Sequence, residues 1–231
     1  MRLLLLLILF AAMRGVAPAS AAEPSIPDPA LLTAGFLAAH PDIQHRTRAL
    51  KAYEEGDHAL AFKEFKRAAC FSDKPSQAMV AEMLWTGEGV ERDPVAAYAW
   101  MDLAAERHYR GFLLRRETYW AALDEAQREQ AIKVGEKIYA EYGDVVAKPR
   151  LVTRLKRGSR KVAGSRTGFI GAVQIDVQMP NGDWHSVDAT SYFHERYWDP
   201  QKYFEWQDGI WNAPRGRVDI GPLQSDAPNG D

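Results

Sequence analysis

The chain has 231 residues, of which 46% are hydrophobic, 26% charged and 11% aromatic. This is ordinary globular composition, and the length suffices for one sizeable core or two small ones. The formal net charge of −2 at pH 7 argues against a nucleic-acid partner. Cys70 is the only cysteine, so no intramolecular disulfide holds this fold together. Its position at the end of an apolar helical face predicts a buried, inert thiol.

Residues 1–22 have the pattern of a signal peptide. One early cation, Arg2, precedes an apolar run from Leu3 to Met13, and the small residues of "APASAA" follow. The run has eleven residues, whereas a membrane-spanning helix needs about 20. We therefore predict an exported protein, periplasmic or secreted, with no transmembrane span once the signal is removed. The alternative is an uncleaved N-terminal anchor.

The N-terminal arm, residues 23–44, contains several prolines and predicts one short helix over Ala30–Ala39. From His45 to Tyr142 the pattern is helical throughout and contains an internal repeat. The segment "GDHALAFKEFKRAAC" (56–70) matches "RDPVAAYAWMDLAAE" (92–106) at a constant offset of 36 residues. In both copies the apolar positions fall at i, i+4, i+7 and i+8, which is one face of a helix.

The helix of each copy starts at an aspartate, Asp57 or Asp93, that can accept hydrogen bonds from the free N–H groups at a helix start. A third helix is predicted between the copies, from about Ser76 to Thr86. Gly87 is placed to end that helix in the left-handed conformation, and Gly56 ends the preceding helix in the same way. The unit is therefore helix, glycine turn, helix, with a length of about 36 residues.

This unit carries the pattern "A..(L/M)(W/Y)..G.GV..D..AA..W...AA" and resembles the Sel-like repeat family, α-solenoid relatives of tetratricopeptide repeats, in its exported bacterial type. The matching residues are the repeat signature Gly87, Gly89, Asp93, Trp100, Ala104 and Ala105, together with Ala81, Leu84, Trp85, Val90, Ala96 and Ala97. The resemblance implies a mainly α fold, with a short right-handed α-solenoid over residues 45–143 made of two repeats and a closing helix at 122–143. It also implies a concave helical surface that holds a protein or peptide partner.

Residues 144–166 are predicted to form a basic linker. Between Lys148 and Arg166 the sequence has eight basic residues and no acidic one. Two interpretations stay open. The segment is either a solvated linker between two acidic parts, or it binds an anionic surface such as lipid headgroups, a cell-wall glycan polymer or an acidic partner.

Residues 167–231 are predicted to form a small α+β module. Alternating residues over Ala172–Met179, the turn "PNGD" and the segment "WHSVDA" predict a β-hairpin. A short helix is predicted from Pro200, with Asp199 as its cap and Gly209 at its end. The segment "RGRVDIG" could add one more strand.

Nine aromatic residues fall between Trp184 and Trp211. If they are buried, the tryptophans fill a small core, and if they are exposed, they form a stacking platform for sugar rings. The candidate partner-binding residues are therefore Trp184, Trp198, Trp206 and Trp211.

The sequence contains no recognisable catalytic, cofactor-binding or metal-binding motif. The glycines of "GEGVER" lack the third glycine of a dinucleotide site and the lysine of a phosphate loop. The segment "HERYWD" has Trp198 where a zinc helix needs its second histidine. Ser165 lacks the flanking glycines of a nucleophile elbow. His185 and His194 would form a pair only if the fold brought them together, so we expect no cofactor.

We predict a non-catalytic exported scaffold that binds a protein or peptide through its helical repeats. The alternative is a cell-envelope glycan- or peptidoglycan-binding protein, or a weak hydrolase, that acts through the aromatic module. Because solenoids usually need about three repeats and capped ends, the arm or the module is expected to pack onto the helices and complete the core.

Overall fold

The computed structural model describes residues 27–162 and 174–212. The predicted signal peptide, the end of the basic segment and the strand predicted at "RGRVDIG" lie outside the described residues. The described chain is mainly helical and contains one two-stranded antiparallel sheet near its C-terminal end. This is the predicted fold class, a set of helical repeats followed by a small α+β module.

The helices and strands follow one another with short connections. In chain order they are α1 (Ala34–Ala39), α2 (Pro41–Glu54), α3 (His58–Ala69), α4 (Lys74–Thr86), α5 (Pro94–Ala104), α6 (Arg110–Ala122), α7 (Glu125–Tyr142), α8 (Asp144–Val162), β1 (Gln174–Gln178), β2 (Trp184–Asp188), α9 (Ala189–Tyr192), α10 (Glu195–Trp198) and α11 (Pro200–Asn212). Short 3-10 turns lie at Pro29–Leu31 and Ala105–Arg107.

Aspartate side chains begin helices of the repeat region, as predicted for two of them. Asp57 and Asp93 each accept a hydrogen bond from the backbone N–H three residues later, at 3.0 and 2.9 Å. Asp73 and Asp124 cap α4 and α7 in the same way. Each cap satisfies one of the N–H groups that a helix start leaves without a partner.

The glycine turn of the repeat signature is a contact between successive helix pairs. Gly87 (φ 81°) and Gly89 (φ 71°) both adopt the left-handed conformation, and Gly87 ends α4 as predicted. A Cβ on Gly89 would lie 2.4 Å from the carbonyl carbon of His58 at the start of α3. Glu88, in the same turn, accepts a 2.6 Å hydrogen bond from the hydroxyl of Tyr53. The turn therefore needs glycine for backbone geometry and close packing.

Helices α2 to α7 enclose a first core. Trp100 and Ala104 of the repeat signature are buried there with Phe65 of the first copy. The rings of Trp85 on α4 and Tyr119 on α6 stack with their centroids 4.0 Å apart. Helix α6 therefore belongs to the stack, and both α6 and the long helix α7 pack against α5 of the second pair.

A second core joins the N-terminal arm, α8 and the C-terminal module. Helix α1 packs against α2, α8 and β1, and α11 packs against α8. The arm and the module thus complete the core beside the first helix pair, as predicted. The buried members of this core are Leu31, Phe36, Ala39, Ile43, Leu151, Leu155, Val187, Tyr192, Tyr197, Trp198 and Tyr203.

The structure corrects one predicted boundary and the predicted conformation of one segment. The division between arm and repeats at residue 44 falls inside α2, so the arm ends at His40. The described part of the predicted basic linker, residues 144–162, is the continuous helix α8. Ala147, Leu151 and Leu155 recur every four residues, so the segment has an apolar face and packs instead of remaining solvated.

The hairpin forms where it was predicted, whereas α11 is longer than predicted. Strands β1 and β2 pair in antiparallel register, with Gln174 opposite Asp188. Asp199 accepts a hydrogen bond from the backbone N–H three residues later, at 3.0 Å, and so caps α11. The helix continues past Gly209 to Asn212, because packing of its final turn, where Ile210 is 4% exposed, outweighs the low helix propensity of glycine.

Candidate functional site: a groove along the repeat helices

Helices α2, α4 and α6 together line an open groove of about 390 Å³. Each contributes a half-buried apolar side chain: Leu50, Met79 and Phe112. Phe65 of α3 and Met101 of α5 are buried beneath them. The groove therefore presents apolar surface to solvent where these three helices adjoin, which is typical of a binding site.

Charged side chains border this apolar surface. The Nε atom of Arg115 lies 2.6 Å from Glu82, and these side chains are 53% and 31% exposed. Arg46 also lines the groove, and its Nη1 donates to the buried carboxylate of Asp73 at 2.5 Å. The Glu82–Arg115 pair is accessible enough to exchange partners with a bound ligand, whereas the buried pair holds α2 against α4.

The C-terminal module contributes a tryptophan to the same groove. Trp211 lies on the last turn of α11, and its ring centroid is 5.4 Å from that of Phe112. It reaches the groove because α11 continues beyond Gly209. A helix outside the repeats therefore supplies one of the largest apolar side chains of the site.

A buried ionic network holds α11 and α8 against the repeat helices. Arg107 donates to Asp144 at 2.7 Å through Nε and to Asp208 of α11 at 3.2 Å through Nη1. The hydroxyl of Tyr109 donates to Asp208 as well. The Nζ atom of Lys74, whose side chain is 1% exposed, lies 3.1 Å from Asp144. The carboxylate of Asp144 is thus shared by two cations from the repeat region.

The pKa values of this network fit a structural role. Burial by itself raises the pKa of Asp144, but the Arg107 guanidinium and the Lys74 ammonium outweigh burial and hold that pKa well below its ordinary value of 3.8. Burial, reinforced by the hydrogen bond to Asp208, raises the pKa of Tyr109 above its ordinary value of 10.0. At neutral pH Asp144 is therefore an anion and Tyr109 a hydrogen-bond donor.

A second buried cluster joins the module to α2. The hydroxyl of Tyr203 on α11 donates to Asp42. Burial, reinforced by the nearby Asp73 carboxylate, raises the pKa of Asp42 to about 7. The ring of His40 contacts two carbonyl oxygens, including that of Tyr197 at 2.6 Å, and burial lowers its pKa to about 4. Two titratable groups with opposite shifts therefore lie where the arm meets the module.

A separate cavity of about 450 Å³ lies among the arm, the hairpin and helices α10 and α11. The Arg196 guanidinium lies over the rings of Tyr197 and Trp206, at 4.8 and 6.0 Å from their centroids. His194 and Asp188 also line the cavity. It therefore combines aromatic rings with hydrogen-bonding side chains.

The structure does not bring the four candidate tryptophans together. Trp184 on β2 is 69% exposed, whereas Trp198 is 9% exposed and its Nε1 donates to the carbonyl of Tyr192 at 2.6 Å. Trp206 lines the cavity beside the module, and Trp211 lines the groove. Trp198 is thus a core residue, and the other three lie in different surroundings.

The remaining candidates have ordinary environments. Within residues 27–162 and 174–212, no group of three or more His, Cys, Asp or Glu side chains is placed to hold a metal ion. His185 and His194 are both exposed. Cys70 is half-buried, and burial raises the pKa of its thiol, which favours the unreactive protonated form. In the same two segments, no helix is long and apolar enough to cross a membrane.

Fold and groove together define the class of this protein: a short stack of helix pairs closed by an arm and a module of its own. No model of a known protein family matches the chain, and no curated protein matches it. Among solved structures it is similar to a protective antigen present in uropathogenic Escherichia coli strains that displays an SLR fold, at 24% sequence identity and a TM-score of 0.41. The match covers 48% of this chain and 25% of that protein, so the chain spans about a quarter of its length.

Proposed function

We propose that this protein is a non-catalytic, exported scaffold that binds a peptide or protein segment in the groove along α2, α4 and α6. The observation that supports it is that α2, α4, α6 and α11 all contribute apolar side chains to one open surface. Such a surface binds a partner by accepting its bulky apolar side chains between fixed helices.

The partner is proposed to be a segment with large apolar side chains next to a charged residue. Leu50, Met79, Phe112 and Trp211 supply the apolar contacts. Glu82 and Arg115 give the groove both a hydrogen-bond acceptor and a donor beside them. Buried aromatic side chains with a polar rim are where most of the free energy of binding in an interface is concentrated.

Site-specific crosslinking tests this proposal. A photoreactive amino acid replaces Leu50 in the groove of the full chain, and in the control it replaces Leu114, which is 61% exposed and does not line the groove. We expect the Leu50 probe to capture a protein from envelope extract and the Leu114 probe to miss it. Met79→Glu should abolish the capture by placing a charge among apolar side chains, whereas Ile132→Glu on α7 should not.

The outcome that contradicts the proposal is capture of the same proteins at both positions, or capture that survives Met79→Glu. The full chain is used because the second core mixes residues of the arm and the module, so separate halves would each expose part of it. Export itself is tested by locating the protein in cell fractions and by sequencing its N-terminus.

A second candidate function is glycan binding by the cavity beside the module, and its combination of aromatic rings with His194, Asp188 and Arg196 favours it. Sugars are bound by ring stacking together with hydrogen bonds from such side chains. Titration with soluble peptidoglycan fragments should change tryptophan fluorescence, and Trp206→Phe should weaken the change while Trp184→Phe leaves it intact. An unchanged response in Trp206→Phe would exclude this cavity.

A further inference from the structure

Helix α8 has one face fixed in the protein interior. Ala147, Leu151 and Leu155 are each 1% exposed or less. A Cβ on Gly158 would lie 2.4 Å from the Cβ of Ala39, so this face continues toward the end of the helix with no room for an added side chain. The apolar side of α8 is therefore fully occupied by the second core and is not available to insert into a bilayer.

The opposite side of α8 is basic and exposed. Lys156, Arg157 and Arg160, together with Thr153, surround an open depression of about 450 Å³. Arg154 flanks these residues and is exposed as well. We call Arg154, Lys156, Arg157 and Arg160 the α8 basic face.

The cations of the α8 basic face differ from the basic residues earlier in the same helix. Earlier in the helix, Lys148 lies 3.1 Å from Asp144, and Arg150 donates to the carbonyl oxygen of Glu141 at 2.7 Å. Within the described parts of the chain, by contrast, none of the four cations of the basic face forms an ion pair. Four neighbouring positive charges without acidic partners repel one another, which an anionic ligand would relieve.

We propose that the α8 basic face binds the anionic headgroup layer of a phospholipid membrane at its surface, without insertion of the helix. A layer of closely spaced phosphates complements an exposed surface that offers mainly hydrogen-bond donors on long, mobile side chains. A specific protein interface instead needs an apolar centre, and the residues that form the apolar side of this helix, Ala147, Leu151 and Leu155, are buried.

The strength of such membrane binding follows from the number of charges, and its salt dependence follows from electrostatic screening. Each Lys or Arg near an anionic bilayer increases the partition coefficient about fivefold. Removing the four charges should therefore lower the partition coefficient about 100- to 1000-fold. The attraction acts over a distance of about 10 Å at 0.1 M salt, so it should weaken strongly as salt is raised.

Vesicle sedimentation tests the proposal with the full chain. The vesicles contain equal amounts of phosphatidylglycerol and phosphatidylcholine, or phosphatidylcholine alone. The test variant replaces the four basic-face residues with Gln, which keeps the helix propensity high. The control variant makes the same change at four exposed cations elsewhere, Lys63, Arg110, Lys133 and Lys137. Both variants share residues 1–22, so any contribution of that segment is common to them, and circular dichroism verifies folding.

The proposal predicts salt-sensitive binding to the phosphatidylglycerol vesicles that the test variant loses about 100-fold or more and the control variant largely keeps. Equal loss in both variants would mean that only net charge matters, and would overturn the assignment to α8. Unchanged binding in the test variant would overturn it too. Binding to soluble poly(glycerol phosphate) or polyglutamate without binding to vesicles would identify an anionic polymer or acidic protein as the ligand, and the membrane proposal would be wrong.

Discussion

Substitution of Asp144 by Asn should weaken the attachment of α8 and α11 to the repeat helices. The Asp144 side chain is 14% exposed and lies 2.7 Å from Arg107 and 3.1 Å from Lys74, whose side chains are 9% and 1% exposed. Asparagine has nearly the same shape and keeps a carbonyl oxygen as acceptor, but it removes the negative charge. Two buried cations then lose the carboxylate that they share.

The cost follows from what remains around these cations. Loss of one partner of a buried ion pair typically costs about 3 to 5 kcal/mol, because the other charge stays buried without compensation. Here Lys74 keeps Glu106 at 2.6 Å and Arg107 keeps Asp208 at 3.2 Å. We therefore expect a loss of about 2 to 3 kcal/mol in the free energy of unfolding. For a protein of this size that lowers the Tm by about 5 to 10 °C.

Urea unfolding at pH 7, followed by circular dichroism and tryptophan fluorescence, measures this loss. The matched control is Glu55→Gln, because Glu55 lies 3.8 Å from Lys51 and both side chains are more than half exposed. Such a surface pair contributes less than about 0.5 kcal/mol. If Asp144→Asn is no more destabilising than Glu55→Gln, the network does not hold the module in place and our reasoning is wrong.

Further predictions concern pH and the turn glycines. Asp42 has a pKa of about 7 in the folded protein and 3.8 ordinarily, so its protonation raises the free energy of unfolding as pH falls through that range. His40 has a pKa of about 4 in the folded protein and 6.5 ordinarily, so it lowers the free energy of unfolding as pH falls from 6.5 toward 4. In the wild type these two effects nearly cancel. Asp42→Asn should therefore lose about 3 kcal/mol of stability between pH 6.5 and pH 4 relative to wild type, and parallel pH profiles from urea unfolding would contradict this. Gly89→Ala should be at least about 2 kcal/mol more destabilising than Gly56→Ala in urea melts. Both glycines have positive φ, but a Cβ at Gly89 meets the His58 backbone, whereas a Cβ at Gly56 meets nothing within 4 Å. Equal losses would mean that the turn does not pack as described.

The helix starts and the glycine turn could be predicted because each depends on nearby residues alone. Asp57 and Asp93 cap helices with their own side chains, and Gly87 ends α4 through its own backbone conformation. The sequence did not single out α6, since Tyr109 rather than an aspartate precedes this helix and no side-chain hydrogen bond caps it.

The packing of α8 and the composition of the groove depend on contacts between distant segments. The charges of residues 148–166 favoured a solvated linker, although the spacing of Ala147, Leu151 and Leu155 already indicated a helix with one apolar face. The position of Trp211 in the groove was not predictable from local sequence, because it requires α11 to dock on the ionic network around Arg107. Local patterns describe each helix well, but only tertiary contacts decide which exposed side chains share a site.

The second core also sets an order of folding. The hydroxyl groups of Thr33 and Tyr192 are 3.2 Å apart although 159 positions separate them in the chain. The helix pairs depend on contacts between neighbouring segments, which form fast, whereas closing so long a loop is slow and needs nearly the whole chain. When the chain is synthesised or translocated from its N-terminus, Trp211 arrives near the end. The groove is then complete only after the module has docked, so an unfinished chain does not yet present the full surface to a partner.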